Sequence, residues 1–268
     1  MSIFNSTDQT LRVTMLVLPD SSMMSLASAL DTMRAANRIA DRQLFDWKLA
    51  TLNGKAARLT CGIPIDPDVM LDDSLAGDLL IIIAGFHQQR HAGPAHLRLI
   101  KRLARNHRAV GGIEAGSWIL ARSGLLEGRS ATTHWEDFEE FSNHFPGLDV
   151  KPDRFVIDGK VFTTGGASPT FDFMLYLIRM RYGYPLAMEV SSVFSYDASH
   201  SATDTQPLVS LGMLENSEPR VAAAIHVMEQ HIDEPVTIKR IAVQLDVSVR
   251  MLEYLFQQTL QMAPAAYY

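Results

Sequence analysis

Residues 109–126 read AVGGIEAGSWILARSGLL, and the order of side chains in that stretch decides the fold. Ala109 to Ile113 is a short β-rich run. Gly116 to Leu126 is spaced as a helix that Gly128 closes. Between them, Gly111-Gly112-Ile113-Glu114-Ala115-Gly116-Ser117 passes from strand to helix with no loop. Glycines on both sides of a central residue are what a sharp strand-to-helix elbow needs, because neighbouring side chains must be absent. The central residue, Glu114, is presented at a helix N-terminus, where backbone N–H groups favour negative charge.

The same alternation extends in both directions. Leu11–Leu18, Phe45–Leu52, Asp78–Ala84 and Lys160–Thr164 read as strands. Asp78–Ala84 (DLLIIIA) is continuously apolar, as a central parallel strand would be. Helical spacing covers Ser25–Ile39, His96–Arg108, Glu136–His144 and Pro169–Tyr182. Strands alternating with helices predict a doubly wound, mainly parallel sheet with helices on both faces, over residues 1–195. Ligands in such folds bind at the carboxyl ends of the strands. Residues 196–218 lose the pattern and gain Ser, Thr, Asp and Pro, so they read as a linker, with Leu208–Leu214 docked on one domain.

From Pro219 the pattern becomes all-helical. Val221–His231 carries Val221, Ala224, Ile225 and Met228 on one face, and Pro235 ends it. Thr237 sits where an N-cap would, before the apolar face of Ile238, Ile241, Ala242 and Leu245. Asp246-Val247 makes a tight turn and Ser248 caps a third helix. Met251, Leu252, Leu255, Phe256 and Leu260 would form its buried face. Ser248, Val249, Arg250, Glu253, Tyr254 and Gln257 are then left to reach a major groove, the geometry of a helix-turn-helix. Residues 219–268 hold four basic and five acidic residues, so no basic stripe is offered to phosphates.

Composition narrows the class. The net charge of −6, of which residues 1–218 carry −5, advertises no general basic surface. A 47% apolar fraction is ample for a packed core. One cysteine, Cys61, excludes an internal disulfide framework and fits a reducing cytoplasm. No uncharged apolar run is long enough to span a bilayer, and the start lacks the layout of a signal peptide. His87, His91 and His96 match no established ligand spacing, and Gly165-Gly166 lacks the lysine of a phosphate loop, so neither metal nor cofactor is expected.

Two resemblances join these readings. The segments LVLPD, DLLIIIAGF, GGIEAGSWILARSGLLEGRSATTHW and FTTGGASPTFDFMLYLI resemble the class I glutamine amidotransferase-like superfamily, the PfpI/ThiJ group, over roughly residues 10–185. Enzymes of that group carry a nucleophilic cysteine at the elbow, where this chain has Glu114, and often a supporting acid near Ser25. A glutamate cannot act as that thiolate. Residues 219–268 resemble the first helix-turn-helix of the AraC/XylS family of transcription regulators, many of which carry a basic residue where Tyr254 stands. In that family a second helix-turn-helix follows, so the DNA-reading domain is expected to be incomplete here and its grip on an operator weak.

The combination implies a ligand-responsive DNA-binding transcription regulator, not an enzyme. The resemblance implies a pocket lined by Glu114, the loop Gly85-Phe86-His87, and the segment His134-Trp135-Glu136. His134 stands where the enzymes keep their histidine. Acid plus aromatic faces suit an ammonium group, so the effector expected is a small cationic or zwitterionic amine such as betaine, carnitine or an amino acid. Trp118 reads as core, Trp135 as pocket or core alike, and Glu136 also as a solvated first-turn acid. The alternative is a hydrolase or lyase using Glu114 or His134 as general base. By resemblance a homodimer is expected.

Overall fold

The computed structural model describes residues 2–196, 201–204, 206, 218–231, 235–260 and 262–268. They fall into two compact units, Met1–Gln206 and Pro207–Tyr268. The strands of the first unit are β1 (Leu11–Val17), β2 (Phe45–Thr51), β3 (Ala57–Arg58), β4 (Pro64–Ile65), β5 (Val69–Met70), β6 (Gly77–Ala84), β7 (His107–Glu114), β8 (Ser130–Ala131), β9 (Asp149–Val150), β10 (Phe155–Asp158) and β11 (Val161–Thr164). Its helices are α1 (Met23–Ile39), α2 (Gln88–His91), α3 (Pro94–Leu103), α4 (Gly116–Arg122), α5 (Phe138–His144), α6 (Ala167–Tyr182) and α7 (Tyr184–Val193). The main sheet has seven strands in the order β10-β11-β7-β6-β1-β2-β5. All neighbours in it are parallel except β10 and β11, which form an antiparallel hairpin.

Period-two alternation divides the core into two layers. On β6, Leu79, Ile81 and Ile83 face the layer under α1, α6 and α7, while Leu80, Ile82 and Ala84 face the layer under α3, α4 and α5. β1 splits the same way, with Val13, Met15 and Val17 on one side and Leu16 on the other. Both faces are covered, so these strands can be apolar throughout. On β7 the alternation places Gly111 under the Phe162 ring, where an added Cβ would lie 1.9 Å from Cζ. Phe162 in turn stacks on Phe173 of α6 at 3.9 Å between centroids.

The N-terminal segment is tied to the end of α6 by Arg181, which is only 2% exposed. Its Nη1 donates to the Ile3 carbonyl at 2.7 Å and its Nη2 to the Gln9 carbonyl at 3.0 Å. Backbone carbonyls thus satisfy a buried cation that apolar surroundings would otherwise penalise.

Several elements depart from the sequence expectation. The helix expected over His96–Arg108 ends at Leu103, because His107 and Arg108 already belong to β7. The helix expected to run to Leu126 stops at Arg122, and Gly124 at φ +69° turns the chain. A 3₁₀ turn over Trp135–Asp137 precedes α5. The supposed linker does not begin at Tyr196. Tyr196 Oη donates to Asp172 at 2.8 Å, the Asp204 carbonyl accepts from Arg154 N–H at 3.0 Å, and Gln206 is buried. Leu208–Leu214, expected to dock, lies outside the described residues.

In the second unit α8 (Pro219–Gln230), α9 (Ile238–Gln244), α10 (Val249–Leu260) and α11 (Pro264–Tyr267) enclose their own core of Val221, Ala224, Ile225, Met228, Ile241, Ala242, Leu252, Leu255 and Phe256. Thr237 accepts from Arg240 N–H at 3.3 Å and Ser248 from Met251 N–H at 3.1 Å, so both caps form as their sequence implies. Asp246 turns the chain at φ +54°. One face is rotated from the expectation: Met251 is 43% exposed, whereas Val249 packs against the core. Among the described residues no helix is long and apolar enough to cross a membrane.

The packing over Gly111 yields a first prediction. Gly111→Ala must displace the Phe162–Phe173 stack, costing about 1–3 kcal/mol as an overpacked core residue does. Urea unfolding of the variant checks this, and an unchanged midpoint would contradict the packing described.

Candidate functional site

Glu114 ends β7 in the left-handed region at φ +54°. Two close approaches enforce that geometry. A Cβ on Gly112 would lie 2.6 Å from the Gly116 carbonyl carbon, and one on Gly116 would lie 2.2 Å from Ile82 O. Only bare backbone fits on either side, so the turn is pressed into the sheet. Ser117 Oγ donates to the Glu114 carbonyl at 2.8 Å and lies 2.8 Å from Thr133 Oγ1, which fixes the elbow from the helix side. The side chain is held too: Ser25 of α1 donates its hydroxyl to Glu114 Oε1 at 2.5 Å. The hydroxyl and the carboxylate therefore meet at the place where the resemblance puts an acid and a thiol, with the acid on the opposite partner.

A cavity of about 630 Å³ opens beside this elbow. It lies at the carboxyl ends of three adjacent strands, β1, β6 and β7, as the doubly wound topology requires. Asp20 comes from the loop after β1, Gly85–Arg90 from the turn after β6, and Glu114 and Ala115 from the elbow. The other wall is His134, Glu136, Asp137 and Glu140. Six non-glycine residues among those described have positive φ, and three of them, Asp20, His87 and Glu114, line this cavity. Backbone strain of this kind persists where the surrounding structure enforces it, and it gathers at functional sites. Gly85 is required by a close approach, since a Cβ there would lie 2.2 Å from Asp20 O.

Charge is the dominant property of the site. Five carboxylates line it (Asp20, Glu114, Glu136, Asp137 and Glu140), against a single arginine, Arg90, and the histidines His87 and His134. Burial pushes the Glu114 carboxyl above its ordinary range, opposed by the Ser25 hydrogen bond and by His134. Burial likewise raises Asp137, opposed by His134 and by the indole N–H of Trp118, which donates to Oδ2 at 3.2 Å. His134 stands between the acids, its Nδ1 3.6 Å from Glu136 Oε2. His91 Nε2 lies 2.8 Å from Asp20 Oδ2 and braces the loop opposite.

Six of the seven residues expected to form the pocket line it: Glu114, Gly85, Phe86, His87, His134 and Glu136. Trp135 does not. Its ring packs beside His134 at 5.6 Å between centroids, outside the cavity lining. The 3₁₀ turn accounts for this, since it turns His134 and Glu136 inward and the residue between them away. Trp118, which reads as core, is buried against Phe141 and Phe145 yet still contributes to the cavity wall. Asp20 and Asp137 escaped notice. The strand-end rule points to Asp20 in LVLPD, three residues past β1, but Asp137 has no signal in a single sequence. In the second unit Ser248, at the cap of α10, and Arg250, Glu253, Tyr254 and Gln257 along it are exposed, whereas Val249 is half-buried. Among the described residues no group of three or more His, Cys, Asp or Glu could hold a metal ion.

Comparison with known proteins agrees with both halves. The model of the DJ-1/PfpI family matches residues 12–180. The HTH-type transcriptional regulator GbdR of Pseudomonas aeruginosa is 34% identical over 253 residues, covering 94% of this chain and 69% of that one. The HTH-type transcriptional regulator CdhR of the same species is 35% identical over 253 residues, covering 94% and 75%. Among solved structures, an AraC family transcriptional regulator from Pseudomonas putida superposes with a TM-score of 0.61 at 26% identity, over 69% of this chain and 99% of that one. The chain belongs to the DJ-1/PfpI family and, within it, to the AraC-like HTH-type transcriptional regulators.

Proposed function

We propose that the first unit senses a small cationic or zwitterionic amine, of the betaine, carnitine or amino-acid kind, and that the second unit converts occupancy into a change in DNA binding. The observation that carries this reading is the charge of the cavity. Five carboxylates converge on about 630 Å³, and burial raises two of them, Glu114 and Asp137, by disfavouring their charged forms. A cation placed among them would offset that burial and favour the charged forms. Phe86, 64% exposed at the rim, offers a ring face to an alkylated ammonium group. Glu114, held by Ser25 and fixed by the elbow, is an acceptor in place of a nucleophile, which supports binding without turnover. A hydrolase or lyase would instead need Glu114 or His134 to exchange a proton with substrate.

The reading face of α10 is the proposed DNA contact, through Arg250, Tyr254 and Gln257, with Ser248 and Glu253 beside them. Because residues 219–268 are near neutral, this unit supplies little of the counterion release that dominates DNA affinity. A homodimer would double the contacts. Light scattering at several concentrations tests for it, and a mass that stays monomeric throughout would remove the idea.

A thermal-shift screen with glycine betaine, carnitine and arginine tests the amine reading. A true effector at 100 times its dissociation constant should add ~2.7 kcal/mol. Glu114→Ala should weaken that binding by about tenfold or more, equivalent to roughly 1.4 kcal/mol, without loss of the folded state. Heat released on adding small anions but none of these amines would sink the proposal. If Glu114→Ala instead abolished turnover of a substrate, the hydrolase or lyase reading would replace it.

Glu114 also sets a pH dependence whose sign follows from burial. Its folded-state value is raised above the ordinary 4.5, so the folded protein holds this proton more tightly than the unfolded chain. Stability from this group is therefore present at low pH and is lost as pH rises from the ordinary carboxylate range through the raised value. Glu114→Gln, which keeps an acceptor for Ser25, should make the ligand-free protein more stable than the parent at about pH 8, and the gain should shrink as pH falls into the carboxylate range. Thermal unfolding across pH checks it. A gain that does not vary with pH would show that Glu114 is not the group responsible.

A further inference from the structure

Gln206 closes the first unit, and the chain runs on from it into Pro207 and the DNA-reading unit. A residue at such a junction is ordinarily solvated, yet Gln206 is 3% exposed. Its backbone N–H donates to the Pro152 carbonyl at 2.9 Å. Its side-chain Nε2 lies 2.9 Å from the Thr133 carbonyl, 3.0 Å from the Asp153 carbonyl and 3.1 Å from Thr132 Oγ1. Carbonyls only accept, so the amide nitrogen must be the atom that faces them. The rest of the carboxamide fills the space above Gly165, where a Cβ would lie 1.9 Å from Gln206 Oε1. Burying a carboxamide is costly unless it is bonded in this way, so the contact is a built one.

Both walls of this clasp adjoin the amine pocket. Thr133 is the residue before His134, and its hydroxyl is 2.8 Å from Ser117 Oγ, which donates to the Glu114 carbonyl. Gly165 is the residue before Gly166, where a Cβ would lie 3.1 Å from His134 Cδ2 and 3.8 Å from Glu114 Oε1. Thr133 is thus one peptide from the cavity residue His134, and Gly165 is one peptide from Gly166, which lies beside both His134 and Glu114.

We infer that Gln206 is the latch through which occupancy of the Glu114 pocket reaches the DNA-reading unit, an inference that rests on the sensor reading above. A cation held between Glu114 and Glu136 draws the two walls together and tightens the grip of Thr133 and Gly165 on Gln206. That restrains the chain where it leaves the first unit. Loss of the carboxamide leaves the pocket intact but uncouples it.

Hydrogen exchange of the full chain, with and without saturating glycine betaine, tests this. In the parent, betaine should slow exchange both in the peptide spanning residues 132–140 and in the peptide spanning residues 201–218. In Gln206→Ala the first peptide should still slow and the second should not. By reciprocity, the same substitution should weaken betaine binding by roughly fivefold or more. The latch is overturned if betaine slows the pocket peptide of the parent and leaves residues 201–218 unchanged or faster. It is overturned equally if Gln206→Ala responds as the parent does. The parent measurement alone decides the matter should the variant fail to fold. Failure of betaine, carnitine and arginine alike to slow either peptide in the parent overturns the sensor reading itself, a separate result.

Discussion

The first unit depends on one backbone constraint, the left-handed conformation of Glu114 at φ +54°. A glutamate gains nothing from that conformation by itself, and the close contacts of Gly112 and Gly116 hold it there. The consequences spread from the turn. β7 can end and α4 begin without an intervening loop, the side chain is aimed over the carboxyl ends of the sheet, and Ser25 on α1 comes within reach of it. The cavity, its charge and its strained rim at Asp20 and His87 are assembled around that placement. The enforcing residues have no chemistry of their own; they matter because they lack side chains.

Carboxylates buried at this site cost the folded protein stability when they are charged. Burial raises Glu114 and Asp137, and Trp118 is held between the apolar layer and Asp137 by its indole N–H. The core on that side therefore ends in a polar contact.

The central elements were legible because their signals are local. Leu79–Ala84 is apolar on both faces, the Gly-Gly-x-x-x-Gly run announces its turn, and the caps Thr237 and Ser248 precede regular helical spacing. What escaped depends on pairing across the chain. β10 is four residues long and defined by its partner β11. Gln206 and Tyr196 look like linker until their buried partners are known. Residues 134–137 mislead for another reason: a 3₁₀ turn advances the side chains by a different angle from an α-helix, so Trp135 turns outward and Asp137 lines the cavity. Likewise a helical wheel begun one residue out of phase exchanges Val249 for Met251 on α10.

The tie between Arg181 and the carbonyls of Ile3 and Gln9 has a consequence for how this scaffold tolerates change. Most domains hold their leading residues loosely, and substitutions there are neutral. Here that segment provides the acceptors for a guanidinium that is almost wholly enclosed. Shortening it, or grafting a foreign leader whose carbonyls point elsewhere, would strand a positive charge inside the protein. The backbone at Ile3 and Gln9 is therefore fixed in place, although nothing in the composition of that segment marks it so.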